Sequence, residues 1–207
     1  MKRVKSADFA VLWDLDGTLV DTVELHVWAF IEALRILGYP VREEYARMYR
    51  SKVGERFDSI VREIFPEISE SEIERMKDIR LRLLISRLDL LKVLPPARLL
   101  SKVSELCYTA LVTSSSRPFA EAVIEHFGWS QYFDAVVTGD DVHEGKPSPE
   151  PVLCALRKLG VSRAVFIGDT DYDRLSAEGA GVLFLPAERA DEVLRICSTY
   201  TSSGTRR

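Results

Sequence analysis

The sequence predicts an α/β protein in which a mostly parallel sheet is covered by helices on both faces and a block of helices is inserted after the first strand. Phe9 to Trp13 is a continuously apolar run of strand length, which is typical of a buried parallel strand. Residues 20–93 have helical periodicity and are charged on one face. From residue 97 onward, short apolar runs alternate with helical segments in βαβ order.

The inserted block is predicted to contain several amphipathic helices. Apolar residues recur at helical spacing from Val23 to Leu37, and Gly38-Tyr39-Pro40 is a stop signal. Further helical segments are predicted at about 42–50, 56–64 and 70–90, and Pro95-Pro96 closes the block. We therefore expect a helical domain over 20–95 and a core formed by 1–19 and 96–207.

The second half of the chain is predicted to complete the sheet. Helices are expected at about 97–106, 118–127, 149–159 and 187–198, strands at 109–113, 135–138, 164–167 and 181–185, and a frayed polar tail at 199–207. The predicted architecture is therefore a Rossmann-like parallel sheet core with an inserted α-helical cap domain. Insertion after the first strand would place the helices over the strand ends, where a lid belongs.

Composition limits the class of protein. With 46% apolar and 29% charged residues, the 207-residue chain is typical of a globular protein. Its net charge of −4 argues against nucleic acid or an anionic membrane as the main partner. No apolar run is long enough to cross a bilayer, and residues 1–6 lead into a strand rather than a signal-peptide core, so we expect a cytoplasmic protein. The three cysteines are far apart in sequence and are interpreted as reduced thiols.

Two carboxylates follow the first predicted strand. Asp14 and Asp16 are two residues apart, so in extended geometry both side chains point to the same side. Carboxylates held this close repel each other unless a cation lies between them, and Mg²⁺ is commonly held by one or two carboxylates together with substrate phosphate. The carboxyl ends of strands are also where open α/β sheets bind ligands.

Three later segments carry polar groups in comparable places. Thr113-Ser114-Ser115-Ser116-Arg117 follows a predicted strand and could face an anion, although serines before a helix are most often caps. Lys146 lies in a loop stiffened by Pro147 and Pro149. Gly168-Asp169 follows another apolar strand and repeats the geometry of the opening motif, with Asp173 four residues later.

In this order the four segments resemble the motifs of the haloacid-dehalogenase-like superfamily, in the branch of phosphoglycolate phosphatases and β-phosphoglucomutases with an inserted cap. The resemblance implies a phosphatase in which Asp14 is the nucleophile, Asp16 the general acid and base, and Thr113 and Lys146 stabilise the phosphoryl group beside Ser114. It also implies Mg²⁺ held by Asp14, Asp169 and the backbone carbonyl of Asp16, with Asp173 acting through a metal-bound water or by orienting Lys146.

The predicted cap carries the residues that bear on substrate choice. His26, Lys52 and Arg56 resemble cap residues of β-phosphoglucomutase and related phosphatases, but they could equally be ordinary residues of a charged helical domain. With Arg117, the two cap cations suggest an anionic or hydroxylated leaving group on a small phosphorylated metabolite. The two crossings between the lobes, near 20–22 and 94–96, are expected to act as a cap hinge.

Several functional alternatives follow from the same resemblance. Gly168 stands against the mutase, because β-phosphoglucomutases carry an acidic residue at that place. Asp16 argues against dehalogenase activity, since a halide leaving group needs no proton. A non-catalytic regulator is disfavoured because every motif carboxylate and Lys146 are present. The substrate and the oligomeric state stay open.

Overall fold

The computed structural model describes residues 8–53 and 55–203, with side chains up to residue 200. Its helices and strands follow one another in this order: β1 (Ala10–Trp13), β2 (Val20–Asp21), α1 (Val23–Leu37), α2 (Glu43–Ser51), α3 (Phe57–Ile64), α4 (Glu70–Ser86), β3 (Lys92–Val93), α5 (Leu100–Leu106), β4 (Tyr108–Val112), α6 (Arg117–His126), β5 (Ala135–Val137), α7 (Glu150–Leu159), β6 (Ala164–Gly168), α8 (Asp171–Gly179), β7 (Leu183–Pro186) and α9 (Val193–Ser203). Short 3₁₀ segments occur at Leu88–Leu90, Pro95–Leu99, Ser130–Tyr132, Gly139–Asp141 and Ala187–Glu192.

The chain divides into two compact units. One is built from the residues up to Val20 and from Val93 onward, and the other from Asp21–Lys92. The short strands β2 and β3, where the chain passes from one unit to the other, pair in a two-stranded sheet.

The first unit is organised around a five-stranded sheet with the order β5-β4-β1-β6-β7. All four pairings are parallel, and Trp13 of β1 is in register with Leu111 of β4 and Ile167 of β6. The central strands are almost wholly buried while the edge strands are partly exposed, as the continuous apolar runs indicate. The Rossmann-like parallel sheet is therefore confirmed, and its register brings Asp14, Thr113 and Asp169 to one edge.

The second unit is helical. Helices α1 to α4 enclose an apolar cluster in which Phe30 stacks on Tyr49 with ring centroids 4.5 Å apart. Helix α1 ends where predicted, with Gly38 in the left-handed conformation at φ 78°. A capping box formed by Ser69 and Glu72 fixes the start of α4.

Four predicted segments have boundaries that differ from those of the structure. The predicted helix at 70–90 breaks at Arg87, and those at 97–106 and 187–198 each begin as a 3₁₀ segment. The predicted tail is helical up to Ser203, because Tyr200 stacks on Phe9 with centroids 4.1 Å apart and the Arg163 guanidinium lies over its ring. The expectations for residues 1–7 and 204–207 lie outside the described residues.

Candidate active site

A buried lysine lies between two buried carboxylates at the carboxyl edge of the sheet. Lys146 Nζ is 2.6 Å from Asp14 Oδ1 and 2.5 Å from Asp173 Oδ1, and it lies 3.4 Å from the Val112 carbonyl oxygen. The side chains of all three charged residues are 5% exposed or less. Groups this well shielded from water interact strongly, so the triplet is a rigid electrostatic centre.

The charges of this centre perturb one another. Burial raises the pKa of Asp14 well above its ordinary value, Asp173 and Asp16 add to that rise, and Lys146 opposes it. Burial alone would lower the pKa of Lys146, but the attraction of Asp14 and Asp173 outweighs it and the pKa is raised. Lys146 is therefore a cation. Its charge does not fully offset the rise in the pKa of Asp14, so a further positive charge nearby would favour the ionised carboxylate.

The loop that carries Lys146 is held by its neighbours. Glu150, at the start of α7, accepts the backbone N–H groups of Glu144 at 2.8 Å and His143 at 3.0 Å. These two hydrogen bonds lower the pKa of Glu150. Ser148 N–H donates to the Gly145 carbonyl at 3.0 Å, which tightens the turn around Lys146. The proline-rich sequence predicted a stiff loop, but Glu150 was not predicted as its anchor.

The Asp173 side chain is held by hydrogen bonds at the start of its own helix, α8. Its Oδ2 accepts the Thr170 hydroxyl at 2.6 Å and the Thr170 N–H at 3.1 Å, which forms the capping box of α8. Residue 168 must be small, because a Cβ on Gly168 would lie 2.6 Å from Asp173 Cγ. The glycine therefore permits the close approach that points the other Asp173 oxygen at Lys146.

Asp169 completes an acidic cluster. Thr18 Oγ1 donates to its Oδ1 at 3.0 Å, and a Cβ on Gly17, whose φ is +84°, would lie 2.3 Å from its Oδ2. Asp14, Asp169 and Asp173 each offer an oxygen within 4.8 Å of the others. Burial raises the pKa of Asp169, and the nearby charge of Asp173 adds to the rise.

The cluster has the chemistry that a hard divalent cation requires. Carboxylate oxygens are ligands that Mg²⁺ prefers, and a cation between Asp14 and Asp169 would favour the ionised form of both carboxylates, whose pKa values are raised mainly by burial. Both Asp173 oxygens already accept hydrogen bonds, from Lys146 and Thr170. Asp14 and Asp169 are therefore the better direct ligands.

Asp16 is engaged by hydroxyl groups from the loop that follows β4. Its Oδ2 accepts Thr113 Oγ1 at 3.2 Å and Ser115 Oγ at 2.8 Å. Ser115 N–H in turn donates to Thr113 Oγ1 at 3.0 Å. Sequence reasoning singled out Thr113 and Ser114 but gave Ser115 no role. Its spacing of two from Thr113 is the signal that could have found it.

Ser114 and Arg117 lie in the same loop but have other surroundings. Ser114 is exposed, and its carbonyl would be 2.7 Å from a Cβ on Gly139. The Arg117 guanidinium donates to Glu121 at 2.8 Å and also to Asp141. Hydrogen bonds to Glu121 and Asp141 outweigh partial burial and raise its pKa. Two carboxylates thus compete with any anionic substrate for Arg117.

In the helical unit, the predicted residues are not equally exposed. His26 is buried, and its Nδ1 accepts a hydrogen bond from Arg80 Nη2 at 2.7 Å. The Arg80 guanidinium also lies over the Phe57 ring, 4.7 Å from its centroid. Lys52 pairs with Glu63 at 2.8 Å, whereas Arg56 is exposed. Arg80 was not predicted, because nothing in its helical repeat sets it apart from other arginines.

The comparison with known proteins decides the family. Residues 11–187 match the family model described as haloacid dehalogenase-like hydrolase. The chain belongs to this family. The resemblance read from the four motifs is thereby confirmed, and so is the prediction of a phosphatase-type hydrolase, since relatives carry phosphatase and pyrophosphatase names.

Two relatives illustrate the range of names. A protein of Caldanaerobacter subterraneus, named as a candidate pyrophosphatase PpaX, is 37% identical over 180 residues, which cover 84% of this chain and 78% of the relative. A phosphoglycolate phosphatase of Rhodobacter capsulatus is 31% identical over 183 residues, covering 85% and 82% of the two chains. Relatives of this chain within the family therefore carry names that refer to different substrates.

A solved structure supports the same grouping. CbbY from Rhodobacter sphaeroides in complex with phosphate is 28% identical, has a TM-score of 0.74, and covers 86% of this chain and 84% of its own. A CbbY variant has also been solved in complex with xylulose-1,5-bisphosphate. Within the residues that the structure describes, no helix combines the length and apolar character needed to span a membrane.

Proposed function

We propose that the protein is a Mg²⁺-dependent phosphatase that hydrolyses a small phosphate monoester through an aspartyl-phosphate at Asp14. The observation that carries the proposal is the contact of Lys146 Nζ with both Asp14 and Asp173, beside the acidic cluster with Asp169. A buried carboxylate next to a fixed cation and a candidate metal site has the surroundings expected for attack on a phosphoryl group.

In the first half of the reaction, a carboxylate oxygen of Asp14 attacks phosphorus and the bond from phosphorus to the leaving oxygen breaks. Asp16 donates a proton to that oxygen. The Thr113 hydroxyl and the Lys146 ammonium group stabilise the negative charge of the transferring group by position and charge. Lys146 is suited to this role because its raised pKa keeps it protonated.

In the second half, Asp16 removes a proton from water and the water oxygen attacks phosphorus. The bond from phosphorus to Asp14 breaks, which releases inorganic phosphate and regenerates the carboxylate. General acid–base assistance of this kind contributes about 10²- to 10⁴-fold. Asp16 is suited to alternate between the two roles because it is only half-buried and lies two residues after the nucleophile.

We propose that Asp14, Asp169 and the backbone carbonyl of Asp16 hold Mg²⁺. Bound there, the ion would reduce the repulsion between the Asp14 carboxylate and substrate phosphate. The raised pKa values of Asp14 and Asp169 support this assignment, because both carboxylates gain from added positive charge. Asp173 is assigned to orienting Lys146 rather than to direct coordination, since both of its oxygens accept hydrogen bonds.

The helical residues 20–95 are proposed as the cap that selects the leaving group, with a hinge near 20–22 and 94–96. Lys52, Arg56, His26, Ser114 and Arg117 are proposed to act on the substrate. The ion pairs of Lys52 and Arg117 must then be exchanged or shared when substrate binds. Arg56 is exposed and forms no ion pair with another described residue, so no such contact has to be exchanged there. We propose a cytoplasmic site of action, where small phosphorylated metabolites are found.

Hydrolysis is favoured over the β-phosphoglucomutase-like alternative by the surroundings of Gly168. A Cβ at this position would lie 2.6 Å from the carboxyl carbon of Asp173, so an acidic side chain could enter only if Asp173 moved. This chain therefore supports the glycine of the phosphatases rather than the acidic residue expected of the mutases. The non-catalytic regulator is the remote alternative, because the catalytic carboxylates and Lys146 are assembled.

The test is release of inorganic phosphate from phosphoglycolate, pyrophosphate, xylulose-1,5-bisphosphate and β-glucose 1-phosphate, with and without Mg²⁺. We expect metal-dependent release that Asp14→Asn abolishes. Asp191→Asn is the matched control, because Asp191 is exposed and pairs only with Arg98 among the contacts described for it. Conversion of β-glucose 1-phosphate to glucose 6-phosphate in the presence of a bisphosphate primer, without phosphate release, would instead favour the mutase.

A further inference from the structure

Two hydroxyl groups converge on one oxygen of Asp16. Ser115 Oγ donates at 2.8 Å and Thr113 Oγ1 at 3.2 Å, both to Oδ2. The shorter distance is in the range of a good O–H···O hydrogen bond, whereas the longer one lies beyond it. Ser115 therefore makes the better contact with the carboxylate that is proposed to move protons.

The two hydroxyl groups are not equivalent once a phosphoryl group is bound. A hydroxyl has a single proton to donate, and the Thr113 oxygen already accepts the Ser115 N–H at 3.0 Å. If Thr113 donates its proton to a phosphoryl oxygen, it can no longer donate to Asp16. Ser115 would then be left holding the Asp16 side chain.

The backbone around Ser115 is well fixed. Its carbonyl accepts the Gly139 N–H at 3.1 Å, and the following helix is attached by the Arg117 N–H, which donates to Asp140 Oδ2 at 2.7 Å. Gly139 allows this approach, since a Cβ there would lie 2.7 Å from the Ser114 carbonyl oxygen. These two hydrogen bonds hold the backbone at and after Ser115. The Ser115 hydroxyl is therefore kept in one place and can orient its partner reproducibly.

We propose that Ser115 is a positioning residue that orients the Asp16 carboxylate for proton transfer, through the hydrogen bond from Ser115 Oγ to Asp16 Oδ2. The inference rests on the proposed function. In this assignment Ser115 acts through Asp16, whose carboxylate it contacts at 2.8 Å, and takes no part in the chemistry at the leaving group. Its loss should therefore affect the step that needs Asp16 most and leave substrate affinity unchanged.

The test uses p-nitrophenyl phosphate, because nitrophenolate departs without being protonated. Formation of phospho-Asp14 then does not need Asp16, whereas its hydrolysis does. For Ser115→Ala we expect a burst of about one nitrophenolate per enzyme molecule, followed by a steady-state kcat reduced about tenfold, while kcat/KM, which reports only the formation of phospho-Asp14, is unchanged. Ser115→Thr, which keeps the hydroxyl, should restore the steady-state rate.

Ser116→Ala is the matched control, because Ser116 precedes α6 without a capping hydrogen bond from its side chain. It should behave like the wild type. Should Ser115→Ala not fold, Ser115→Cys replaces the hydroxyl by a weak donor of similar size and gives the same test. A Ser115→Ala enzyme with wild-type kcat and no burst, or one changed only in KM, would overturn the inference. Failure of the wild type to release phosphate from p-nitrophenyl phosphate and from every compound of the panel above would overturn the proposed function itself.

Discussion

Replacing Lys146 by methionine tests the buried charge centre directly. The change keeps an unbranched side chain that is one atom shorter and removes the ammonium group that contacts Asp14 at 2.6 Å and Asp173 at 2.5 Å. Removing one partner of a buried ion pair typically costs about 3–5 kcal/mol, because the remaining charge is left uncompensated. For a chain of this size, that corresponds to a fall in Tm of about 6–20 °C.

The cost should depend on pH. In the variant, burial and the charges of Asp173 and Asp16 would hold the pKa of Asp14 above its unfolded value, which is about 4, without the opposing charge of Lys146. The folded variant would then bind more protons than the unfolded chain, so its free energy of unfolding falls as pH rises through the folded pKa of Asp14. We expect the largest loss at about pH 8 and a smaller one near pH 5, where Asp14 can take up a proton.

The assay is urea denaturation of wild type and Lys146→Met at the two pH values. Lys158→Met is the control, since Lys158 is partly exposed and contacts Asp141 at 3.2 Å. Adding Asp173→Asn to Lys146→Met should recover part of the loss, because it removes one of the two unpaired charges. A loss that is the same at both pH values, or one no larger than that of the control, would refute the electrostatic reasoning.

Three further predictions concern the backbone and the helical unit. Gly17→Ala should weaken Mg²⁺ binding about tenfold in a calorimetric titration, since the new Cβ would displace Asp169. Gly168→Ala should lower kcat about tenfold in a phosphate-release assay by displacing Asp173 from Lys146; unchanged kinetics would contradict it. Ser69→Ala should cost about 1 kcal/mol in urea denaturation through loss of the α4 cap, while leaving kcat as in the wild type.

The strands of the sheet and the order of the four motifs could be predicted, because the apolar runs and the polar residues that follow them form strong and consistent local patterns. Phe9 to Trp13 is apolar throughout, and a parallel strand buried on both faces requires such a run. The parallel register then brings the residues after β1, β4 and β6 together without further information. Gly38 similarly marked the end of α1, because a left-handed residue there favours glycine.

What the sequence could not predict depends on contacts between distant segments. The hydrogen bond from Ser115 to Asp16 joins residues 99 positions apart, and only the folded loop shows which serine reaches the carboxylate. Arg117 was predicted to bind the substrate. The sequence does not show that its guanidinium donates to Asp141, which lies on a different segment. The helix at 199–203 was missed because its polar sequence does not show that Tyr200 stacks on Phe9.

The steric role of two glycines was not predicted. At Gly17 and Gly168 the missing Cβ makes room for Asp169 and Asp173, respectively. The motif resemblance could assign glycine to position 168 only as a marker of a branch of the family. The structure gives a physical reason, since a side chain there would collide with Asp173, whose carboxylate contacts Lys146.

The central claim is that Asp14 carries the phosphoryl group, and trapping that intermediate tests it most directly. The Asp16→Asn enzyme would be mixed with p-nitrophenyl phosphate and Mg²⁺, quenched in acid, and analysed by peptide mass spectrometry. We predict one added phosphoryl group on the peptide that contains Asp14, and none when Asp14 is also replaced by asparagine. Phosphate release by wild type with no such adduct, or an adduct on another residue, would contradict the covalent mechanism.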